Sequence, residues 1–157
     1  MGSNFDFKEY EEFVKKLQVP KVEFEVFLKQ YLLEMAQRVV ARAKPRTPVD
    51  TGYLRNAFSI GSQRIVQKET EAVNERTGHH LAAIDPEKSD IDSILVIGDT
   101  LEVTISNPAS YASYIEYGHH SYPGRYMLTI SADEVRQQMP KRFEKEFDEF
   151  IKRRGLG

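Results

Sequence analysis

The sequence predicts an α+β fold. A small, mainly antiparallel β-sheet packs against a long helix in the N-terminal half, with a short tyrosine-rich helix and a C-terminal helix after it. Three observations carry this. Phe24, Leu28, Leu32, Met35, Val39 and Ala43 recur at helical spacing over Val22 to Ala43, and Phe27, Tyr31 and Val40 widen the stripe. The β-rich runs Ser93–Ile97 and Leu101–Ile105 are joined by Gly98-Asp99-Thr100, an antiparallel hairpin signal. Phe143, Phe147, Phe150 and Ile151 make a last amphipathic stripe.

Taken in order, Phe5 to Leu17 places Phe5, Tyr10, Phe13, Val14 and Leu17 among charges, a short amphipathic helix that Val19-Pro20 breaks. Pro20 suits the start of the long helix, and Lys44-Pro45 suits its end. Asp50 is placed to cap a short helix holding Tyr53 and Leu54. Phe58 to Gln67 reads as strand, with Gly61 as a bend or bulge. Lys68 to Asp92 is long, polar and without periodicity, which predicts a flexible loop. Leu101–Ser106 completes a sheet on which Leu28, Leu32, Met35 and Val39 would pack. Asn107-Pro108 opens the tyrosine helix and Gly118 closes it. Ser131 and Glu134 have capping-box spacing, and Pro140 kinks or restarts the helix that ends at Lys152-Arg153-Arg154-Gly155. The 157 residues form a single domain, with residues 1–20 as an N-terminal helical extension and 68–92 as its loop.

The formal net charge is -2, so nothing points to a general nucleic-acid-binding surface. There is no cysteine, which removes disulfides and thiolate chemistry. No apolar run approaches the roughly 20 residues that span a bilayer. The acidic N-terminus is unlike a secretory signal.

Histidine pairs at His79-His80 and His119-His120 raise the possibility of a metal site, the basis of an alternative reading as a small metal-dependent hydrolase. Adjacent histidines on a regular element point apart, so neither pair alone makes a two-ligand face. Glu116 and His119 have the Glu-x-x-His spacing of helical di-iron proteins, but no second such motif is present. There is no Gly-x-Ser-x-Gly elbow, and Gly61, Gly78 and Gly98 are isolated, so no phosphate loop is read. The sequence therefore predicts no catalytic, cofactor-binding or metal-binding residues, and no enzyme.

Tyr111, Tyr114 and Tyr117 lie at i, i+3 and i+6, on one face of a short helix. Two readings stand open: core tyrosines with hydroxyls reaching the sheet edge, or tyrosines at a subunit interface, where the residue is enriched. Glu116 and Arg125 are placed to pair across the Gly118–Gly124 turn. Arg55, in Thr47-Pro48-Val49-Asp50-Thr51-Gly52-Tyr53-Leu54-Arg55, belongs first to a capping corner but could face a neighbour.

Three segments, residues 47–57, 107–118 and 124–128, carry a resemblance. Thr-Pro-Val-Asp-Thr-Gly-Tyr-Leu-Arg, Asn-Pro-Ala-Ser-Tyr-Ala-Ser-Tyr-Ile-Glu-Tyr-Gly and Gly-Arg-Tyr-Met-Leu, in that order, resemble the tail-component or neck proteins of long-tailed bacteriophages and prophages. The likeness spans roughly Val22 to Ile151. It implies a virion protein, assembled in the host bacterial cytoplasm, that forms a ring at the head–tail junction or tail end. The implied partners are further copies of itself and connector, head-completion or tail-tube proteins. No cofactor, membrane or sequence-specific nucleic acid is implied, although DNA would pass through the ring. The candidate interface residues are Arg55, Tyr111, Tyr114, Glu116, Tyr117, His119 and Arg125.

Overall fold

The computed structural model describes residues 7–61 and 91–156. Its elements, in order, are α1 (Lys8–Lys16), α2 (Lys21–Arg46), α3 (Tyr53–Asn56), β1 (Ser59–Ile60), a 3-10 turn at Ile91–Ser93, β2 (Leu95–Ile97), β3 (Thr100–Glu102), β4 (Ile105–Ser106), α4 (Ala112–Tyr117), β5 (Gly118–His119), β6 (Tyr122–Pro123) and α5 (Met127–Arg153). The architecture is α+β, as the sequence predicts. The loop expected over 68–92 lies almost wholly outside the described residues, as do His79 and His80.

Two long helices dominate. One side of α2 (Phe24, Phe27, Leu28, Tyr31, Met35 and Val39) packs on Val135, Phe143, Phe147 and Ile151 of α5. Its adjacent side, Ala36, Val40 and Ala43, packs on Leu54, Phe58 and Ile60. The long helix thus finds its main partner in another helix, and only its second side meets a strand. Leu32 falls between the two sides and is half-buried, so Leu32→Ala should cost less than the roughly 2–5 kcal/mol of a fully buried leucine. Helical periodicity marks the buried face but does not say what covers it.

Of the residues expected to form an N-terminal extension, those from Phe7 to Val19 contribute to the core. Phe7 and Tyr10 set their rings edge-on to Phe143 at 5.0 and 4.7 Å, and Val14 and Val19 are buried. Edge-to-face pairs at this distance add to the apolar burial of the rings.

Among the described residues the strands form three separate antiparallel pairs, β1–β4, β2–β3 and β5–β6, instead of one continuous sheet. Ser59 and Ile60 pair with Ser106 and Ile105, and Gly61 (φ +107°) then bends away, as expected of it. Leu95–Ile97 pairs with Thr100–Glu102 across the Gly98 turn.

The C-terminal helix also departs from expectation. It starts at Met127 and continues through Pro140 to Arg153. Ser131 is inside it, buried, with its hydroxyl donating to the Met127 carbonyl at 2.6 Å, so no capping box forms. Glu134 turns to α2, accepting from Arg42 at 2.7 Å and Arg46 at 2.6 Å. Those two guanidinium groups hold its carboxyl below the usual carboxylate range. Beside Pro140, the buried Tyr31 hydroxyl donates to the Met139 carbonyl at 2.7 Å. Gly155 (φ +70°) ends the helix as predicted, with its N–H on Lys152 O.

Candidate functional site

The three motif segments meet at one place. Thr47 ends α2 in an extended conformation, as a residue before proline favours, and its hydroxyl donates back to Ala43 O at 2.8 Å. Gly52 (φ +84°) turns the chain into α3, where Tyr53 N–H donates to Thr51 Oγ1 at 3.3 Å. Thr51, and not Asp50, therefore serves the start of α3. Asn107 joins this corner to the next segment: its Nδ2 donates to Leu54 O at 2.8 Å, and its Oδ1 accepts from Ala109 N–H at 3.1 Å. The helix that Asn107-Pro108 was expected to open begins only at Ala112.

Beyond α4 the chain closes into a clasp. Arg125 N–H donates to Ile115 O at 2.8 Å and Tyr126 N–H to Glu116 O at 2.9 Å, so the loop returning through β5 and β6 satisfies carbonyls at the end of α4. This close approach requires glycine twice. A Cβ on Gly118 would lie 2.6 Å from Tyr122 O, and one on Gly124 2.6 Å from Glu116 O. Tyr126, at φ +47°, then starts α5. The first N–H groups of α5 point at Glu116, whose carboxylate accepts from Leu128 N–H at 3.0 Å, Thr129 N–H at 2.8 Å and the Thr129 hydroxyl at 2.7 Å. Glu116 is 7% exposed. It is an N-terminal cap supplied by a different helix, placed where a negative charge favours the helix dipole. The expected Glu116–Arg125 pair does not form; the Arg125 side chain is exposed.

The tyrosines divide between the two readings. Tyr111 packs into the cluster of Tyr53, Leu54, Phe58 and Met127, where burial and the nearby Asp50 carboxylate push its hydroxyl pKa up. Tyr114 and Tyr117 are exposed, and so are Tyr122 and Tyr126, which the sequence reading did not single out. Tyr117 is 68% exposed and Tyr122 77%, far more than a side chain this apolar needs to keep its hydroxyl wet. Tyr117 meets Tyr126 edge-on at 6.5 Å, and Tyr114 lies 4.7 Å from the His119 ring, which is tilted against the His120 ring at 3.9 Å. Tyr114, Tyr122, Pro123, Arg125 and Ile130 line a groove of about 710 Å³ that reaches Arg46. The signal that could have revealed Tyr122 is the glycine pair: a clasp pinned at Gly118 and Gly124 carries its intervening side chains outward.

Arg55 does not line this groove. It is half-buried, with Nη2 3.5 Å from Thr47 O, and its Nε is the one buried side-chain nitrogen or oxygen without a partner among the described residues. Among the described residues no group of three or more histidine, aspartate or glutamate side chains could hold a metal ion. A second groove, between α2 and α5, is lined by Val26, Phe27, Tyr31, Glu34, Arg38 and Glu146. Burial, with Glu34 nearby, pushes the Glu146 carboxyl pKa up.

The sequence model of the family described as "Bacteriophage HK97-gp10, putative tail-component" matches residues 11–118. The chain belongs to that family. The tail-component match begins within α1, takes in α2 to α4 and ends at Gly118, so Gly124 to Leu128 and all of α5 lie beyond it. No curated protein and no solved structure matches the chain. Family membership makes this a structural bacteriophage protein of the virion. No helix among the described residues is long and apolar enough to cross a membrane.

Proposed function

We propose that this tail-component protein assembles into a homo-oligomeric ring at the head–tail junction or tail end, and docks there to connector, head-completion or tail-tube subunits. The carrying observation is the exposed face of Tyr114, Tyr117, Tyr122 and Tyr126 beside Arg125, held on a clasp that leaves its backbone no slack. Tyrosine and arginine are the residues on which protein interfaces concentrate their binding energy. Of the candidate interface residues, Tyr114, Tyr117, His119 and Arg125 act directly. Tyr111 and Glu116 act by holding the clasp, and Arg55 by holding the α3 corner beneath it. The chain works as a single domain, assembled in the host bacterial cytoplasm.

Complementation of a gene deletion, scored by electron microscopy, tests this. Without the gene, or with Tyr117→Ala/Arg125→Glu in its place, heads and tails should accumulate unjoined or tails should lack their end structure. Normal infectious particles from the deletion strain would overturn the proposal.

A further inference from the structure

The β2–β3 hairpin is unusual for what it leaves uncovered. Leu95, Val96 and Ile97 are 53%, 51% and 56% exposed, so apolar side chains stand on both sides of a ribbon that pairs with no third strand among the described residues. A two-stranded hairpin has little stability of its own, and adjacent exposed apolar residues mark a surface that meets something else. The charges within it have one sign. Residues 91–106 contain Asp92, Asp99 and Glu102, all exposed, and no lysine, arginine or histidine.

The tyrosine face has the opposite character. Between residues 111 and 130 the only carboxylate is Glu116, which is buried and engaged by α5. The exposed ionisable groups other than tyrosine there are Arg125, His119 and His120. Hairpin on hairpin would set acids against acids, and tyrosine face on tyrosine face would set Arg125 against Arg125. Hairpin on tyrosine face matches apolar to aromatic and acidic rim to basic rim.

We infer that the β2–β3 hairpin of one copy docks on the Tyr114–Tyr126 face of the next copy, with Leu95, Val96 and Ile97 against the tyrosines and Asp99 and Glu102 toward Arg125. This rests on the self-assembly reading above and names its surfaces. Because the two patches differ, the contact is head-to-tail: each bound copy offers a fresh hairpin at one end and a fresh tyrosine face at the other.

The head-to-tail geometry gives a test that self-association through any single patch would fail. Two variants are made: Val96→Asp/Ile97→Asp, which breaks the hairpin, and Tyr117→Ala/Tyr122→Ala/Arg125→Glu, which breaks the face. All these side chains are exposed, and circular dichroism checks that both variants fold. Sedimentation velocity is run up to about 1 mM protein. Wild type should form higher oligomers and each variant alone should stay monomeric. An equal mixture should form a dimer that grows no further, because its outer ends are the two broken surfaces. Three results overturn the inference: a monomeric wild type throughout the range, either variant assembling like wild type, or a mixture that stays monomeric. If wild type assembles but the mixture does not dimerise, the docking fails while the virion role stands. Infectious particles from a gene deletion would instead remove the virion role.

Discussion

Replacing Glu116 with alanine tests the clasp most directly. The substitution removes the acceptor for the Leu128 N–H, the Thr129 N–H and the Thr129 hydroxyl at a position almost closed to solvent. Losing a helix N-cap costs about 0.5–2 kcal/mol, and hydrogen bonds to a charged group are worth about 1.5–3 kcal/mol each. These do not add in full, since water enters the space the side chain leaves, so about 3 kcal/mol is expected. Glu116→Gln keeps one acceptor oxygen but turns an NH2 toward a donor and drops the charge, so about half that loss is expected. Urea denaturation measures the difference, and in a domain of this size about 3 kcal/mol lowers Tm by roughly 6–12 °C. Hydrogen exchange gives the local reading: the Leu128 and Thr129 amides should lose protection first in the alanine variant. A loss below about 1 kcal/mol, with those amides still protected, would refute the reasoning, because the helix-start donors would then have lost their acceptor at no cost.

Gly124→Ala places a Cβ 2.6 Å from Glu116 O, a backbone atom that cannot swing away; it should cost about 1–3 kcal/mol or more and weaken self-association, read by denaturation and sedimentation. Tyr31→Phe should cost about 1 kcal/mol in urea unfolding, by removing the hydroxyl that reaches Met139 O. Two carboxylates should show opposite pH dependence in pH-resolved denaturation. Glu134 has its folded pKa lowered by Arg42 and Arg46, so its contribution is present above the unfolded value of 4.5 and is lost as pH falls through the folded one; Glu134→Gln should destabilise at pH 7 and cease to matter in acid. Glu146 has its folded pKa raised by burial, so its charged form weakens the fold above that pKa and the penalty fades as pH falls through it; Glu146→Gln should be stabilising at pH 7 and neutral in acid.

Much of the secondary structure was legible because its signals are local. The stripe from Phe24 to Ala43 places α2, and Gly98-Asp99-Thr100 places the turn of the β2–β3 hairpin. The motif segments carried the family relationship. Less legible was anything set by a partner distant in the chain. The Ser131/Glu134 spacing fits a capping box, yet Met127 is already helical because Glu116, remote in sequence, receives the first N–H groups of α5. The same carboxylate fits a pair with Arg125 by position, but two backbone donors and a hydroxyl satisfy it better than one exposed guanidinium would. Pro140 reads as a break, but α2 packs along α5 on both sides of it and holds the helix continuous.

The sequence by itself determined the α+β class, the long helix α2, the presence of a C-terminal helix, the hairpin and membership of a tail-component family, since periodicity, turn chemistry and motif order are properties of neighbouring residues. Only the tertiary structure decided which tyrosines are buried and which are presented. A spacing of three residues aligns Tyr111, Tyr114 and Tyr117 along one helix. Exposure depends on what packs against each position, and the Tyr53–Met127 cluster covers Tyr111 while leaving Tyr114 and Tyr117 to solvent.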